Sequence, residues 1–259
     1  MRSVYQVNIN EKFFGKLPSD AVKGSLQDYA KRGETFEAQW QANLLDFVDN
    51  YISSKEIDRN LLLLIGIDEE SPNEFYMIHG YDDKELAQAF AQWLRESLNI
   101  NIVLNSYFDI LEDVLPDSLT DLLSASRHDQ KNAMHIARLT QQIIEQTNFN
   151  QMVCSQCVFF LNPDGKLSLK KSNCLTRLSS DIQMASALEN WHFLLCNAID
   201  SRTILTESFP TKRLSYDIDN MMPKLTPAII ADWWTRMRGE LDRTSQHALD
   251  YLNLYRVKR

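Results

Sequence analysis

Asn60-Leu-Leu-Leu-Leu-Ile-Gly-Ile-Asp68, the polar segment Glu69-Glu-Ser-Pro-Asn73, and Glu74-Phe-Tyr-Met-Ile-His79 form the stretch that decides the fold. The first run is almost continuously apolar and of strand length, the pattern of a strand buried on both faces. Pro72 and Asn73 favour a turn. The second run is again strand-like, and Gly80 ends it. Two such runs across a short polar turn read as a hairpin.

Upstream, Val4 to Ile9 alternates as a strand. Glu11 to Arg32, punctuated by Gly15, Pro18 and Gly24, reads as a loop with a short helix. Glu34 to Ser53 predicts a long helix, because Phe36, Trp40, Leu44, Phe47 and Tyr51 share one face. Downstream of the hairpin, Asp82 and Glu85 have the form of a capping box. Leu86, Phe90, Trp93, Leu94 and Leu98 mark the helix it would start, and Asn99 to Asn105 alternates as another strand. The order strand, helix, strand, strand, helix, strand is the split βαβ or ferredoxin-like arrangement. A longin-like or other small α/β sandwich uses similar elements in a different order. The fold class is therefore α+β: a βαββαβ unit over 1–106, then a mainly helical region over 107–259 with one hairpin at 152–170.

In that second region, Tyr107 to Leu115 predicts a short helix stopped by Pro116. Ser118 to Gln146 contains no Gly or Pro and predicts one long helix, with Leu119, Leu122, Ala133, Ile136, Leu139, Ile143 and Ile144 at helical spacing. Met152 to Leu161, a turn at Asn162-Pro-Asp-Gly165, and Lys166 to Lys170 read as the hairpin. Ser180 to Ile199 predicts a further helix. Thr226-Pro227 is an N-cap with Pro at the first helical position, opening a last helix that runs to about Tyr255.

The chain has 259 residues, 44% hydrophobic and 24% charged, so it can bury a core without disulfides or metals. Its 27 basic and 35 acidic residues give a net charge of −8, which disfavours nucleic acid, where clustered Lys and Arg release counterions. Only Arg256-Val-Lys-Arg259 is densely basic. No apolar run approaches a membrane span, and the N-terminus lacks the apolar core of a signal peptide. Four scattered cysteines do not make a secreted disulfide framework. These features place the protein in the cytoplasm with reduced thiols.

The centre of the long helix is polar: Ser126-Arg-His-Asp129, then Asn132 and Met134-His-Ile136. His128, Asp129 and Asn132 resemble the phospho-acceptor helix of the sporulation phosphotransferase and of citrate-sensor histidine kinases. The resemblance implies that an exposed His128 accepts a phosphoryl group, that Asp129 orients its imidazole, and that Asn132 lies one turn away on the same face. Leu194 to Asp200 is similar to the Asn-bearing helix of the kinase ATP domain. No glycine-rich lid follows it, which argues against an active kinase. His128-Asp129 with His79 and Asp181 or Asp200 also has the residue types of a metal-dependent HD phosphohydrolase. That family is helical, whereas His79 ends a strand. Cys154-Ser-Gln-Cys157, placed inside an apolar strand, reads as a pair of structural thiols on opposite faces. Adjacent Trp233 and Trp234 cannot share one face of a helix, so one of them is expected to be partly exposed.

No phosphate loop, dinucleotide fingerprint, nucleophile elbow or metalloprotease motif is present in the sequence. The expectation is a non-enzymatic regulatory or adaptor protein that binds another protein through Arg127, His128, Lys131, His135 and Trp234. It would use no cofactor or metal, and a homo-oligomer is compatible with it. The alternatives are a histidine phosphotransfer protein using His128 and a nucleic-acid-associated protein.

Overall fold

The computed structural model describes residues 3–53, 75–124, 132–162, 222–238 and 245–256. The described strands are β1 (Ser3–Val7), β2 (Phe75–Ile78), β3 (Ile102–Leu104), β4 (Cys157–Leu161) and β5 (Lys224–Leu225). The described α-helices are α1 (Leu26–Ser53), α2 (Lys84–Leu98), α3 (Ile110–Ser124), α4 (Asn132–Cys154), α5 (Pro227–Arg238) and α6 (Ser245–Arg256). Short 3-10 turns cover Glu11–Lys16, Tyr81–Asp83 and Asn105–Phe108.

The chain mixes helix and strand, as expected, but its sheet is parallel. The strand order is β3-β2-β4-β1-β5, and every described pairing is parallel. The described strands therefore do not form the ferredoxin-like order, which needs antiparallel neighbours. The 60–68 run, half of the predicted hairpin, lies outside the described residues. So do 166–170 and the 180–199 helix. Strands β4 and β5 come from the segment beyond residue 106, yet they hydrogen-bond into the same sheet as β1.

The four longer strands are buried along their whole length, as parallel strands covered on both faces must be. Tyr5, Phe159 and Met77 stand in one cross-strand row, and Val4, Val158 and Tyr76 in the next. Successive residues alternate faces, so these rows point to opposite sides. On one side Phe159 meets Phe90 of α2, whose neighbour Trp93 packs edge-on against Phe13 at 5.6 Å. Trp93 Nε1 donates to the Ala21 carbonyl at 2.9 Å, which anchors the segment ahead of α1. Helix α6 joins this side through Asn253 Oδ1, which accepts from Ser3 Oγ and Tyr5 Oη. On the other side Tyr76 Oη donates to Asn148 Oδ1 of α4 at 3.2 Å.

Several helix expectations need correction. Helix α1 begins at Leu26, not Glu34, because Ser25 and Asp28 cap it reciprocally: Asp28 Oδ2 accepts from the Ser25 amide, and the Asp28 amide donates to Ser25 Oγ. The last residues of the expected loop, from Leu26 to Arg32, belong to the helix. The Asp82–Glu85 box does not form; Asp83 is the N-cap of α2 and makes no side-chain capping bond. Pro116 does not stop a helix but lies within α3. The single helix over Ser118 to Gln146 is replaced by α3 and α4, which pack against each other. The strand over Met152 to Leu161 begins only at Cys157, because Met152 to Cys154 complete α4. The CxxC motif therefore spans a helix-to-strand junction, with Cys154 exposed and Cys157 buried. The last helix is two, α5 and α6, packed together with Trp233 Nε1 donating to the Ala248 carbonyl at 3.0 Å. Thr226 and Pro227 open α5 as predicted, with the Ile229 amide reaching Thr226 Oγ1. No helix among the described residues is long and apolar enough to cross a membrane.

Candidate functional site

In open parallel sheets, ligands lodge at the carboxyl ends of the strands, where the chain leaves adjacent strands in opposite directions. Here the chain leaves β2 for β3 on one side, while the next described strand after β4 is β5, on the other. The carboxyl ends of β2 and β4, with that of β3 beside them, are thus the topological place for a site. The residues just past these strands are His79, Asn105, Ser106 and Asn162, all short or neutral polar groups.

His79 follows β2 directly and is 4% exposed. Its Nδ1 lies 2.8 Å from the Gly80 carbonyl, and its Nε2 lies 3.2 Å from Ser106 Oγ. A carbonyl only accepts, so in the neutral ring Nδ1 carries the proton and Nε2 accepts from the Ser106 hydroxyl. Asn105 holds the backbone of the same residue at both ends. Its Oδ1 accepts from the His79 amide, and its Nδ2 donates to the His79 carbonyl, each at 3.2 Å. A side-chain amide thereby extends the β2–β3 ladder beyond its last backbone pair. Ser106 is 3% exposed and is the second residue of the 3-10 turn that leads toward α3. Its neighbour Tyr107 is buried, which pushes its hydroxyl above the usual tyrosine range. The Arg95 guanidinium, 3.3 Å from that hydroxyl, offsets part of the effect.

A second constellation lies on the helical layer. Helices α1 and α2 border a groove of about 730 Å³ lined by Gln27, Lys31, Glu34 and Gln41 among others. At its floor the buried Glu37 carboxylate meets Lys84 Nζ at 2.9 Å and accepts from Gln88 Nε2 at 2.6 Å. Gln41 Nε2 donates both to Glu37 and to the Tyr107 carbonyl. Each carboxylate oxygen is engaged, so the cluster works as a clamp between the two helices.

The sequence-predicted site is placed only in part. Arg127, His128, Asp129 and Lys131 lie outside the described residues, while Asn132 and His135 fall in the first turn of α4. Between them Met134 is 85% exposed. Trp234, expected as the exposed member of its pair, is 6% exposed, and Trp233 is fully buried. Both can be covered because α5 packs against α6, α2 and β5. Asp181 and Asp200 lie outside the described residues, and no group of three or more metal-binding side chains occurs among the described ones. His79 meets Ser106 rather than a second metal ligand. No local pattern singles out Ser106; only the parallel alignment of β2 and β3 brings it to His79. Comparison with protein-family models, with curated proteins and with solved structures returns no match.

Proposed function

We propose that the protein is a regulatory or adaptor protein that acts by binding another protein through the amino-terminal end of α4. The observation that supports this reading is Met134. A large apolar side chain, 85% exposed, sits in the same turn as Asn132 and His135 and just after the polar run Arg127 to Lys131. Methionine is among the side chains enriched at protein interfaces, and one left exposed next to a polar stretch of the sequence suits a binding anchor. A photo-cross-linking residue at position 134, introduced into the full chain in its native host, tests the reading. It should trap a discrete protein that the same residue at exposed Thr235 of α5 does not trap. Identical or empty captures at the two positions would sink it.

A further inference from the structure

We propose that Ser106 is a nucleophile activated by His79, and that the carboxyl edge of the sheet accepts a small uncharged ester. The inference is independent of the α4 reading: it rests on β2 and β3, and either can fail without the other. Three features carry it. The hydroxyl donates to an imidazole nitrogen whose tautomer is set by the Gly80 carbonyl, the relation of nucleophile, base and orienting group that nucleophilic catalysis requires. Asn105 holds the His79 backbone at its amide and its carbonyl, and the Gly80 carbonyl holds Nδ1 of the ring, so the base is positioned before any substrate arrives. The pair stands where ligands enter parallel sheets. Ser106 also lies in the 3-10 turn between β3 and α3, a strand-to-helix connection at the carboxyl edge of the sheet.

The near-closure of both side chains limits the substrate to a small one. The polar side chain beside the pair, the Asn105 amide, carries no charge, which suits an uncharged acyl group. In the reaction, Ser106 Oγ bonds to the carbonyl carbon while its proton passes to His79 Nε2. The intermediate then collapses, breaking the bond to the alcohol oxygen, and His79 returns the proton to the departing alkoxide. Water repeats the sequence on the acyl-serine, releasing the carboxylic acid and restoring the hydroxyl.

The full chain is treated with a small fluorophosphonate, and the adduct is mapped by peptide mass spectrometry. Ser106 should be modified faster than every other serine. Ser106→Ala should abolish the adduct, and His79→Gln should slow it by about a hundredfold or more. No adduct on Ser106 in the folded chain, or an unchanged rate in a folded His79→Gln variant, overturns the proposal. Where His79→Gln does not fold, Ser106→Cys decides. An imidazole-paired thiol should be alkylated by chloroacetamide at about pH 6.5 at least about tenfold faster than exposed Cys154, which serves as the internal reference. Equal or slower alkylation overturns it.

Discussion

At Gly33 the backbone of α1 lies against the backbone of α2. A Cβ built there would sit 2.6 Å from the Gln88 carbonyl oxygen and 3.0 Å from its carbon, both backbone atoms that cannot rotate away. Alanine is the better helix former by about 1 kcal/mol, but the clash forces the helices apart. One turn along, the 2.6 Å bond between Gln88 and Glu37 would be stretched by the same movement. Gly33→Ala should therefore lower stability by about 1–3 kcal/mol, read as a reduced urea midpoint at unchanged slope. An unchanged or higher midpoint would show that the contact is not tight. The same helix pair carries a pH-dependent term. Burial raises the Glu96 carboxyl, but hydrogen bonds from Arg32 and Gln92 outweigh it and leave the group below its ordinary value. A carboxyl lowered on folding stabilises above its unfolded value, and the gain is lost as pH falls through the folded value. Because Arg32 and Glu96 are partly exposed, the pair should contribute only about 0.5 kcal/mol. Wild type should exceed Glu96→Gln in urea midpoint at about pH 7 and match it at about pH 3. A gap that persists in acid would assign the effect to packing instead.

Helix α3 shows why local signals and element ends part company. Proline removes an amide and crowds the preceding turn, so Pro116 reads as a stop. The helix continues because Leu111, Leu115 and Leu119 recur every four residues and are all buried. Each buried leucine contributes about 1.5–3 kcal/mol, which together exceeds the roughly 3 kcal/mol that an interior proline costs. Around the break, Ser118 Oγ and Thr120 Oγ1 donate to the Val114 and Pro116 carbonyls one turn back. Pro116→Ala should restore the missing bond to the Glu112 carbonyl and raise stability by about 1–3 kcal/mol, visible as a higher melting temperature. A lower one would mean that the proline's restriction of the unfolded chain dominates. The opposite error occurred at α1. Its Ser25-x-x-Asp28 cap was legible in the sequence, but Gly15, Pro18 and Gly24 make the same stretch read as a punctuated loop. Apolar spacing found the body of α1, α2 and α5 correctly. It could not find where the paths of α3 and α4, or of α5 and α6, turn back on themselves, because both arms of each pair carry similar stripes.

At the scale of the molecule, the strand positions were readable and their partners were not. Apolar content marks β1, β2, β3 and β4 in the sequence, but nothing local states whether neighbours run parallel. The pairing of His79 with Ser106 was hidden for the same reason, since the two ends align only in a parallel sheet. The assignment of 1–106 as a unit of its own meets a physical difficulty here. β1 touches β4 and β5, and β2 touches β3 and β4, so within 1–106 the described strand β1 has no described strand beside it. Strand β4 is the link, pairing with β1 from Ser3 to Val7 on one edge and with β2 from Phe75 to Ile78 on the other. Removing it would leave the backbone of both strands unpaired along those edges, in a layer that is otherwise dry. It would also strip Phe159 from between Tyr5, Phe75 and Phe90. A fragment ending at residue 106 should accordingly show no cooperative urea transition and no dispersed amide spectrum, whereas the full chain should show both. Adding a separately expressed 107–259 fragment should restore them if the sheet can assemble in trans. A cooperative transition from 1–106 alone would mean that the first unit closes its core without β4, and would support the boundary at residue 106.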